Sequence, residues 1–336
     1  MTVTDAAQTA FLAREGWGEA TRARLAGDAS NRRYDRLTRP DGATAVLMIA
    51  PPETGEETGP FVRMARFLTD AGLSAPRILG EDRAQGLLLL EDLGDALFAR
   101  LMSREPARSG PLYAAATDLL VTLHRVPPLP LRRADADWLS EMVDPFFEWY
   151  PQAQGTEGAQ RAKALIRSQA ASLVDTPFVV ALRDYHAENL LWLPDRAGVA
   201  RVGLLDFQDA VCAHPAYDLV SILQDARRDV SAEIEEAMIA RYLAATGMEG
   251  DAFRAAYALL GAQRNLRILG IFARLCRRDG KPGYLDMMPR VWHALMRDLA
   301  HPTLRALRDT IRRSAPAPDP DVLKELRAAC PTCPVP

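Results

Sequence analysis

The most informative stretch of this sequence for fold and function is residues 183–209, RDYHAENLLWLPDRAGVARVGLLDFQD. The stretch contains Asp184, then Asn189, and then Asp206 after a short apolar run. Phosphoryl transfer needs a carboxylate that orients the acceptor hydroxyl, and oxygen ligands that hold magnesium on the phosphates. The stretch could supply these groups, with Asp184 as the candidate base. Taken singly, each residue is also typical of a loop, because Asp and Asn favour turns.

Length and composition indicate a soluble globular protein. The 336 residues are enough for two lobes or domains, and 48% are hydrophobic and 25% charged. A net charge of −3 gives no sign of nucleic-acid binding. We find no secretory signal and no apolar run that would span a membrane. Four cysteines are too few for a disulfide framework, which predicts a cytoplasmic location, and the terminal CPTC of Cys330 and Cys333 lacks the nearby ligands of a zinc site.

Periodicity divides the chain into a strand-rich first part and a helical second part. The first part predicts helices over 5–15 and 61–71 and strands over 25–37, 43–49, 77–79 and 86–90. The second part predicts helices over 111–124, 157–173, 231–246, 251–277, 289–300 and 302–313. These elements predict an α+β fold with an N-lobe over 1–90, a hinge over 91–95, a helical C-lobe over 96–313 and a proline-rich tail over 314–336, extended at 316–320.

Five segments carry a resemblance to a known family. They are GDASNRRYDRL (27–37), GLLLLEDLGD (86–95), RDYHAENLLWL (183–193), LLDFQDAVCAHPAYDL (204–219) and QRNLRILGIFARL (263–275). Over roughly residues 20 to 310 the chain resembles the aminoglycoside phosphotransferase and choline kinase family, relatives of the protein kinases. It is most similar to bacterial kinases of cell-wall recycling that phosphorylate N-acetylmuramate and N-acetylglucosamine at C1. The resemblance implies a protein kinase-like bilobal fold that uses ATP and Mg²⁺ and a sugar acceptor.

The resemblance also implies roles for four residues of the catalytic stretch and its neighbourhood. Asp184 would orient the sugar hydroxyl, and Asn189 and Asp206 would bind magnesium. Asp218 would be a buried structural residue that holds the backbone of the catalytic loop.

Two further segments would bind the nucleotide. The turn over 27–34 would cover the phosphates with small polar residues whose backbone N–H groups face phosphate; its members are Asp28, Ser30, Asn31, Arg32 and Arg33. Glu91 and Leu93 would form the hinge whose backbone groups pair with adenine. The alternatives are an ordinary hairpin turn for the first segment and a plain linker for the second.

The sequence departs from the kinase pattern at three places. Met48 stands about where kinases carry the phosphate-binding Lys, the helix over 61–71 lacks an internal Glu, and Leu182 replaces the usual His. We hypothesise that Arg32 or Arg33 replaces the missing cation, since a guanidinium suits phosphate geometry. The departures also leave open a pseudokinase that binds nucleotide without turnover.

The acceptor is expected beside Asp184. The candidate contacts are His186, Glu188, Gln208, Asp209, Gln263, Arg264 and Arg267. An Arg would suit a lactyl carboxylate, although charges on a helix are often simply solvated. Trp149 and Tyr150 could stack on a sugar ring or pack in the core. A polycationic aminoglycoside would need an acidic site, which the arginines disfavour, whereas choline or another sugar stays an alternative.

Overall fold

The structure, a computed structural model, describes residues 5–25, 32–153 and 155–331. The strands are β1 (Thr21–Arg24), β2 (Arg33–Thr38), β3 (Thr44–Ile49), β4 (Ile78–Asp82), β5 (Leu87–Glu91), β6 (Val179–Ala181), β7 (Leu190–Trp192), β8 (Val202–Leu204) and β9 (Val211–Ala213). The helices are α1 (Asp5–Arg14), α2 (Thr58–Asp70), α3 (Phe98–Arg104), α4 (Ser109–Leu123), α5 (Ala136–Glu141), α6 (Asp144–Trp149), α7 (Thr156–Ala171), α8 (Ala216–Leu223), α9 (Ala232–Thr246), α10 (Gly250–Arg277), α11 (Met288–Asp298), α12 (Arg305–Ser314) and α13 (Pro320–Ala328). The predicted α+β class is confirmed.

The described residues form two compact units. Unit 1 contains the chain up to Leu123 together with Ala187–Ala210, and unit 2 contains His124–His186 together with the chain from Val211 onward. The chain therefore leaves unit 2 after His186 and returns to it after Ala210. The predicted lobes are continuous segments of the chain, whereas each unit combines segments that are separate in the sequence. The predicted lobe boundaries therefore stay a prediction.

A five-stranded antiparallel sheet forms the centre of unit 1, in the order β1-β2-β3-β5-β4. Alternate residues of a strand point to one face, and on one face of this sheet they meet α1. The buried cluster there consists of Phe11, Leu12, Trp17, Leu37, Ala45, Leu47, Ile49, Leu87 and Leu89. The predicted helix over 5–15 is confirmed, and the structure adds that it covers this face of the sheet.

The first two strands differ from the prediction. A single strand over 25–37 is wrong, because β1 ends at Arg24 and β2 begins at Arg33; residues 26–31 lie outside the described part of the chain. All residues of β1 are exposed, so no apolar alternation could reveal it.

The turn that precedes β5 requires glycine at position 86. Gly86 has a φ of 65°, and its carbonyl accepts a hydrogen bond of 2.8 Å from the Ala50 N–H. A Cβ at this position would lie 1.9 Å from the Ala50 oxygen. Any other residue would therefore have to displace the end of β3.

Unit 2 is built around α10, which packs against α6, α8 and α11. Its contact with α6 is a backbone contact, since a Cβ on Gly270 would lie 2.2 Å from the Phe146 nitrogen. A short antiparallel pair, β6 and β9, lies in the same unit. At 28 residues, α10 is the longest of the described helices.

The long helices are where the periodicity predicts them, but several short ones were not predicted. Those are α3, α5, α6, α8 and α13. The tail accordingly contains a helix: Asp319 caps α13 by accepting from the N–H groups of Asp321 and Val322, and the Leu326 carbonyl accepts from the Cys276 thiol at 3.4 Å. Cys333 lies outside the described residues. Within those residues, no helix is both long and apolar enough to cross a lipid bilayer.

Candidate active site

The candidate base lies on a tight loop that follows β6 in unit 2. Asp184 is half-buried; its N–H donates to the Leu182 carbonyl at 2.9 Å and its carbonyl accepts from the His186 N–H at 3.1 Å. Arg183 has a φ of 70°, a left-handed conformation that costs free energy for a residue with a side chain. The loop therefore needs support from its surroundings.

Helix α8 supplies that support. The Asp218 carboxylate is fully buried and accepts hydrogen bonds from the N–H groups of Leu182 at 2.5 Å and Arg183 at 2.9 Å. These hydrogen bonds fit the role that the resemblance implies for Asp218, because its side chain holds the backbone N–H groups of the two residues that precede Asp184.

A second link ties the same loop to α10. The Ser221 hydroxyl donates to the Arg183 carbonyl at 3.0 Å, and Arg264 Nη2 donates to that hydroxyl oxygen at 2.9 Å. Ser221 lies one turn beyond Asp218 on α8, so both side chains reach the loop from one face of the helix. The Arg183 guanidinium lies over the Trp138 ring at 5.6 Å.

Burial shifts the pKa values of two groups beside the loop. Burial raises the pKa of Asp218 to about 7, and the two backbone hydrogen bonds oppose that rise. Burial, and secondarily the nearby Arg227 guanidinium, lowers the pKa of His186 to about 4. His186 is therefore neutral at pH 7, with its Nε2 3.5 Å from Arg227 Nη1.

The two candidate magnesium ligands lie together in unit 1, at the end of the antiparallel pair β7–β8. The Leu205 N–H donates to the Asn189 carbonyl at 3.0 Å, and the two side chains approach to 3.5 Å between Asn189 Nδ2 and Asp206 Oδ2. Asp206 has a φ of 55°, a region that Asp tolerates better than most residues. Phe207, which follows it, is buried against Phe61 at a ring distance of 4.9 Å.

The donor set fits magnesium better than a transition metal. Across the described ranges, no group of three or more His, Cys, Asp or Glu side chains could hold a metal ion. Asn189 and Asp206 offer one amide oxygen and one carboxylate, and Mg²⁺ is usually held by one or two carboxylates together with water and substrate phosphates.

The candidate acceptor residues fall in both units. Glu188, Gln208 and Asp209 belong to unit 1, and His186, Gln263, Arg264 and Arg267 belong to unit 2. Gln208 Nε2 donates to Asp206 Oδ1 at 2.7 Å, so in this structure it orients the metal-ligand candidate. Glu188 is half-buried and Asp209 is exposed.

Four residues considered for sugar contacts are buried: His186, Gln208, Gln263 and Tyr150. Gln263 is 1% exposed, and its Nε2 donates to the Leu139 carbonyl at 3.1 Å. Tyr150 is fully buried and donates to the Pro316 carbonyl at 2.9 Å. The alternative of core packing is therefore the correct one for Tyr150.

The structure describes only some of the residues that were predicted to bind the nucleotide. Asp28, Ser30 and Asn31 lie outside the described residues. Arg32 Nε is 2.7 Å from Glu56 Oε2, and both side chains are mostly buried. Arg33 Nη2 donates to Gln8 at 3.0 Å. Arg32 thus has a carboxylate partner from the segment before α2, the kind of pair that the missing Lys and Glu would otherwise form.

The predicted hinge is held by charged side chains of unit 1. Arg36 binds both Asp92, at 2.8 Å from Nε, and Asp95, at 2.6 Å from Nη1. The Glu91 N–H donates to the Arg77 carbonyl, so it is not available to adenine. Among the described residues, the backbone N–H and C=O of Leu93 have no hydrogen-bond partner.

Met48 is fully buried, between Tyr34 of β2 and Leu88 of β5 in the sheet register. A Lys at this position would bury its charge among apolar neighbours. The apolar surroundings of position 48 therefore suit Met and would not suit the Lys that kinases carry there.

Comparison with known proteins defines the class. A family model described as the phosphotransferase enzyme family matches residues 21–258. An N-acetylmuramate/N-acetylglucosamine kinase of Caulobacter vibrioides is 42% identical over 93% of this chain and 97% of its own, and one of Pseudomonas aeruginosa is 34% identical over 84% and 85%. The chain belongs to the phosphotransferase enzyme family.

Solved structures agree on the fold. A choline/ethanolamine kinase family protein from Mesorhizobium loti has a TM-score of 0.58 at 17% identity, covering 93% of this chain and 100% of that one. An aminoglycoside-3'-phosphotransferase of type VIII has a TM-score of 0.56 at 20% identity, covering 77% and 98%. The predicted kinase-like fold and phosphotransferase class are confirmed.

Sequence reasoning missed three residues around the site. Ser221, Trp138 and Glu56 each contact a predicted residue or its neighbour. A signal existed only for Ser221, which follows Asp218 at helical spacing; the partners of the other two depend on packing.

Proposed function

We propose that this chain is an ATP- and Mg²⁺-dependent kinase that phosphorylates the anomeric hydroxyl of N-acetylmuramate and N-acetylglucosamine. The 42% identity with a kinase named for these two sugars, across 93% of the chain, carries the proposal. A cytoplasmic place in cell-wall recycling, as the resemblance implies, belongs to the same proposal.

The catalytic stretch has the groups that this reaction needs. Asp184 would accept a hydrogen bond from the sugar hydroxyl and orient its oxygen toward the γ-phosphorus. The two hydrogen bonds from Asp218 to the preceding peptide groups would keep that carboxylate in place. Magnesium, held by Asn189 and Asp206, would neutralise charge on the phosphates.

The nucleotide would be bound by residues of unit 1. Leu93 presents an unused backbone donor and acceptor that could pair with adenine. Arg32, oriented by Glu56, would supply the cation that Met48 does not.

The test is phosphoryl transfer from ATP with magnesium to N-acetylmuramate, N-acetylglucosamine, choline and kanamycin, with phosphorus NMR of the products. We expect a sugar 1-phosphate signal with both sugars and none with choline or kanamycin. Transfer to choline or kanamycin alone would overturn the acceptor assignment. ATP binding without transfer to any of the four, at protein concentrations that support binding, would favour a pseudokinase.

A further inference from the structure

Helix α10 carries a polar group beside the catalytic loop that the proposed reaction does not yet use. Arg264 is linked through Ser221 to the carbonyl of Arg183, the residue before Asp184, by hydrogen bonds of 2.9 and 3.0 Å. Arg267 follows three residues later on the same helix, where side chains share a face. The turn of α10 that contains both arginines therefore lies next to the candidate base.

Two polar residues of this turn already have structural partners. Gln263 is buried and donates to Leu139, and Arg264 donates to Ser221. A second nitrogen of Arg264, Nη1, is buried without a hydrogen-bond partner, so a ligand in contact with solvent does not reach it in this conformation. Neither side chain is free to recognise an acceptor.

Arg267 differs from them in two respects. Its side chain is half-buried and so retains access to solvent. Within the part of the chain that the structure describes, its guanidinium forms no hydrogen bond and no ion pair. Such a guanidinium is only partly hydrated and has no protein partner, so an anion from a ligand could complete its hydrogen bonds.

The charges around Arg267 also favour an anion. Burial is the largest cause that lowers the pKa of this guanidinium, and the neighbouring Arg183 and Arg264 lower it further, whereas Tyr217 and Asp184 raise it. Two further guanidinium groups of unit 2 therefore lie close enough to Arg267 to repel its charge. An acceptor that brings its own carboxylate would reduce this repulsion.

We propose that Arg267 binds the lactyl carboxylate of N-acetylmuramate and makes the enzyme favour this sugar over N-acetylglucosamine. The inference rests on the proposed function and adds its specificity determinant. The two sugars differ in the lactic acid ether, so a residue that contacts only the carboxylate separates them. A guanidinium can hold a carboxylate through two parallel hydrogen bonds.

The competing source of an anion is the transferring phosphate, which both sugars share. An Arg267 that bound phosphate would affect both acceptors equally. The ratio of the two kcat/KM values therefore distinguishes the two ligands.

The experiment measures kcat/KM for both sugars, and for the methyl ester of N-acetylmuramate, in wild type and in Arg267→Gln. For Arg267→Gln we expect a fall of about 10- to 100-fold with N-acetylmuramate, mostly through KM, as expected for the loss of a charged hydrogen bond. The effect with N-acetylglucosamine and with the ester should be several-fold smaller. Arg254→Gln is the control, because Arg254 is an exposed arginine of the same helix that pairs with Glu236.

Wild type alone provides a measurement that does not depend on the folding of a variant. Esterification should lower its kcat/KM for N-acetylmuramate by about the same 10- to 100-fold. An ester as good as the free acid, or an equal loss with both sugars in Arg267→Gln, would overturn the role of Arg267 and leave the kinase assignment intact. Wild type that phosphorylates neither sugar would overturn the proposed function, and the role of Arg267 with it.

Discussion

The two units hold their polar side chains in different surroundings. In unit 1 the pairs around the hinge are partly open to water: Arg77, paired with Glu91, is 69% exposed, and Asp95, paired with Arg36, is 62% exposed. In unit 2 the polar groups that contact the catalytic loop are buried: Asp218 and Ser221 are both 0% exposed. Water can replace a lost partner in the first case but not in the second. Substitutions of equal size should therefore cost more in unit 2 than in unit 1, except at the residues that touch substrate or metal.

The largest expected effect does not depend on which unit contains the substituted residue. Asp184→Ala in unit 2 and Asp206→Ala in unit 1 should each lower kcat on the order of 1,000-fold, since one would remove the proposed base and the other a proposed magnesium ligand. Turnover would be measured as phosphate transfer from ATP to the sugar. Circular dichroism would show whether each variant keeps its fold. Asp195→Ala, an exposed residue of the β7–β8 connection, is the control, and turnover retained in either variant would contradict the assigned roles.

The next prediction compares two residues of α8 that support the catalytic loop of unit 2. Asp218→Ala leaves two buried N–H groups without acceptors, so we expect kcat to fall about 100-fold and the free energy of unfolding to fall by about 2 kcal/mol. Ser221→Ala removes one hydrogen bond to the Arg183 carbonyl and should cost only several-fold in kcat. Equal rates for Asp218→Ala and wild type would show that the loop needs no support from α8.

A smaller effect is expected in unit 1. Arg32→Ala should raise the KM for ATP about 10-fold, the value of one charged hydrogen bond, with little change in the KM of the sugar. Arg66→Ala is the control, because Arg66 is an exposed arginine of unit 1 that pairs with Glu81. An unchanged KM for ATP in Arg32→Ala would remove Arg32 as the substitute for the missing Lys.

The smallest effect concerns pH. Burial lowers the pKa of His124 to about 3, and its Nδ1 lies 2.7 Å from the Tyr242 hydroxyl. Between pH 6.5 and about 3 the unfolded chain binds the proton that the folded protein excludes, so the stability contributed by this site falls as pH falls.

His124→Asn should weaken that dependence. The difference in unfolding free energy between pH 7 and pH 5.5, from urea titrations, should be about 1 kcal/mol smaller than in wild type. His186 and His214 also have pKa values lowered to about 4, and they remain in both proteins, so their effect cancels. An identical pH dependence in both proteins would mean that His124 stays accessible to protons.

The sequence indicates the candidate catalytic residues more directly than it indicates the residues that support them. Asp184, Asn189 and Asp206 are close in the chain, so spacing alone indicates them. Helix α8 is different: all of its residues are buried, so its polar face, with Asp218 and Ser221, meets protein instead of water. Helical spacing places Ser221 beside Asp218, but it does not show that this face contacts the Arg183 carbonyl.

Other misses have their own causes. Helix α13 had a readable start, since Asp319 is its N-cap and Pro320 its first residue, but the prolines before it indicated an extended segment. The burial of Gln263 depends on which face of α10 meets Leu139, and helical spacing alone does not say which face is inward.

The path of the chain through the two units affects how the protein is made. Ser74 accepts from the Leu204 N–H through its carbonyl at 2.8 Å and donates its hydroxyl to the Ala200 carbonyl at 2.6 Å. Unit 1 is therefore incomplete until residues 187–210 have left the ribosome, some seconds after its first strands. Because unit 2 is interrupted by the same segment, neither unit corresponds to a continuous fragment that could be expressed alone. We expect the nascent N-terminal part to depend on chaperones longer than an uninterrupted domain of similar length would.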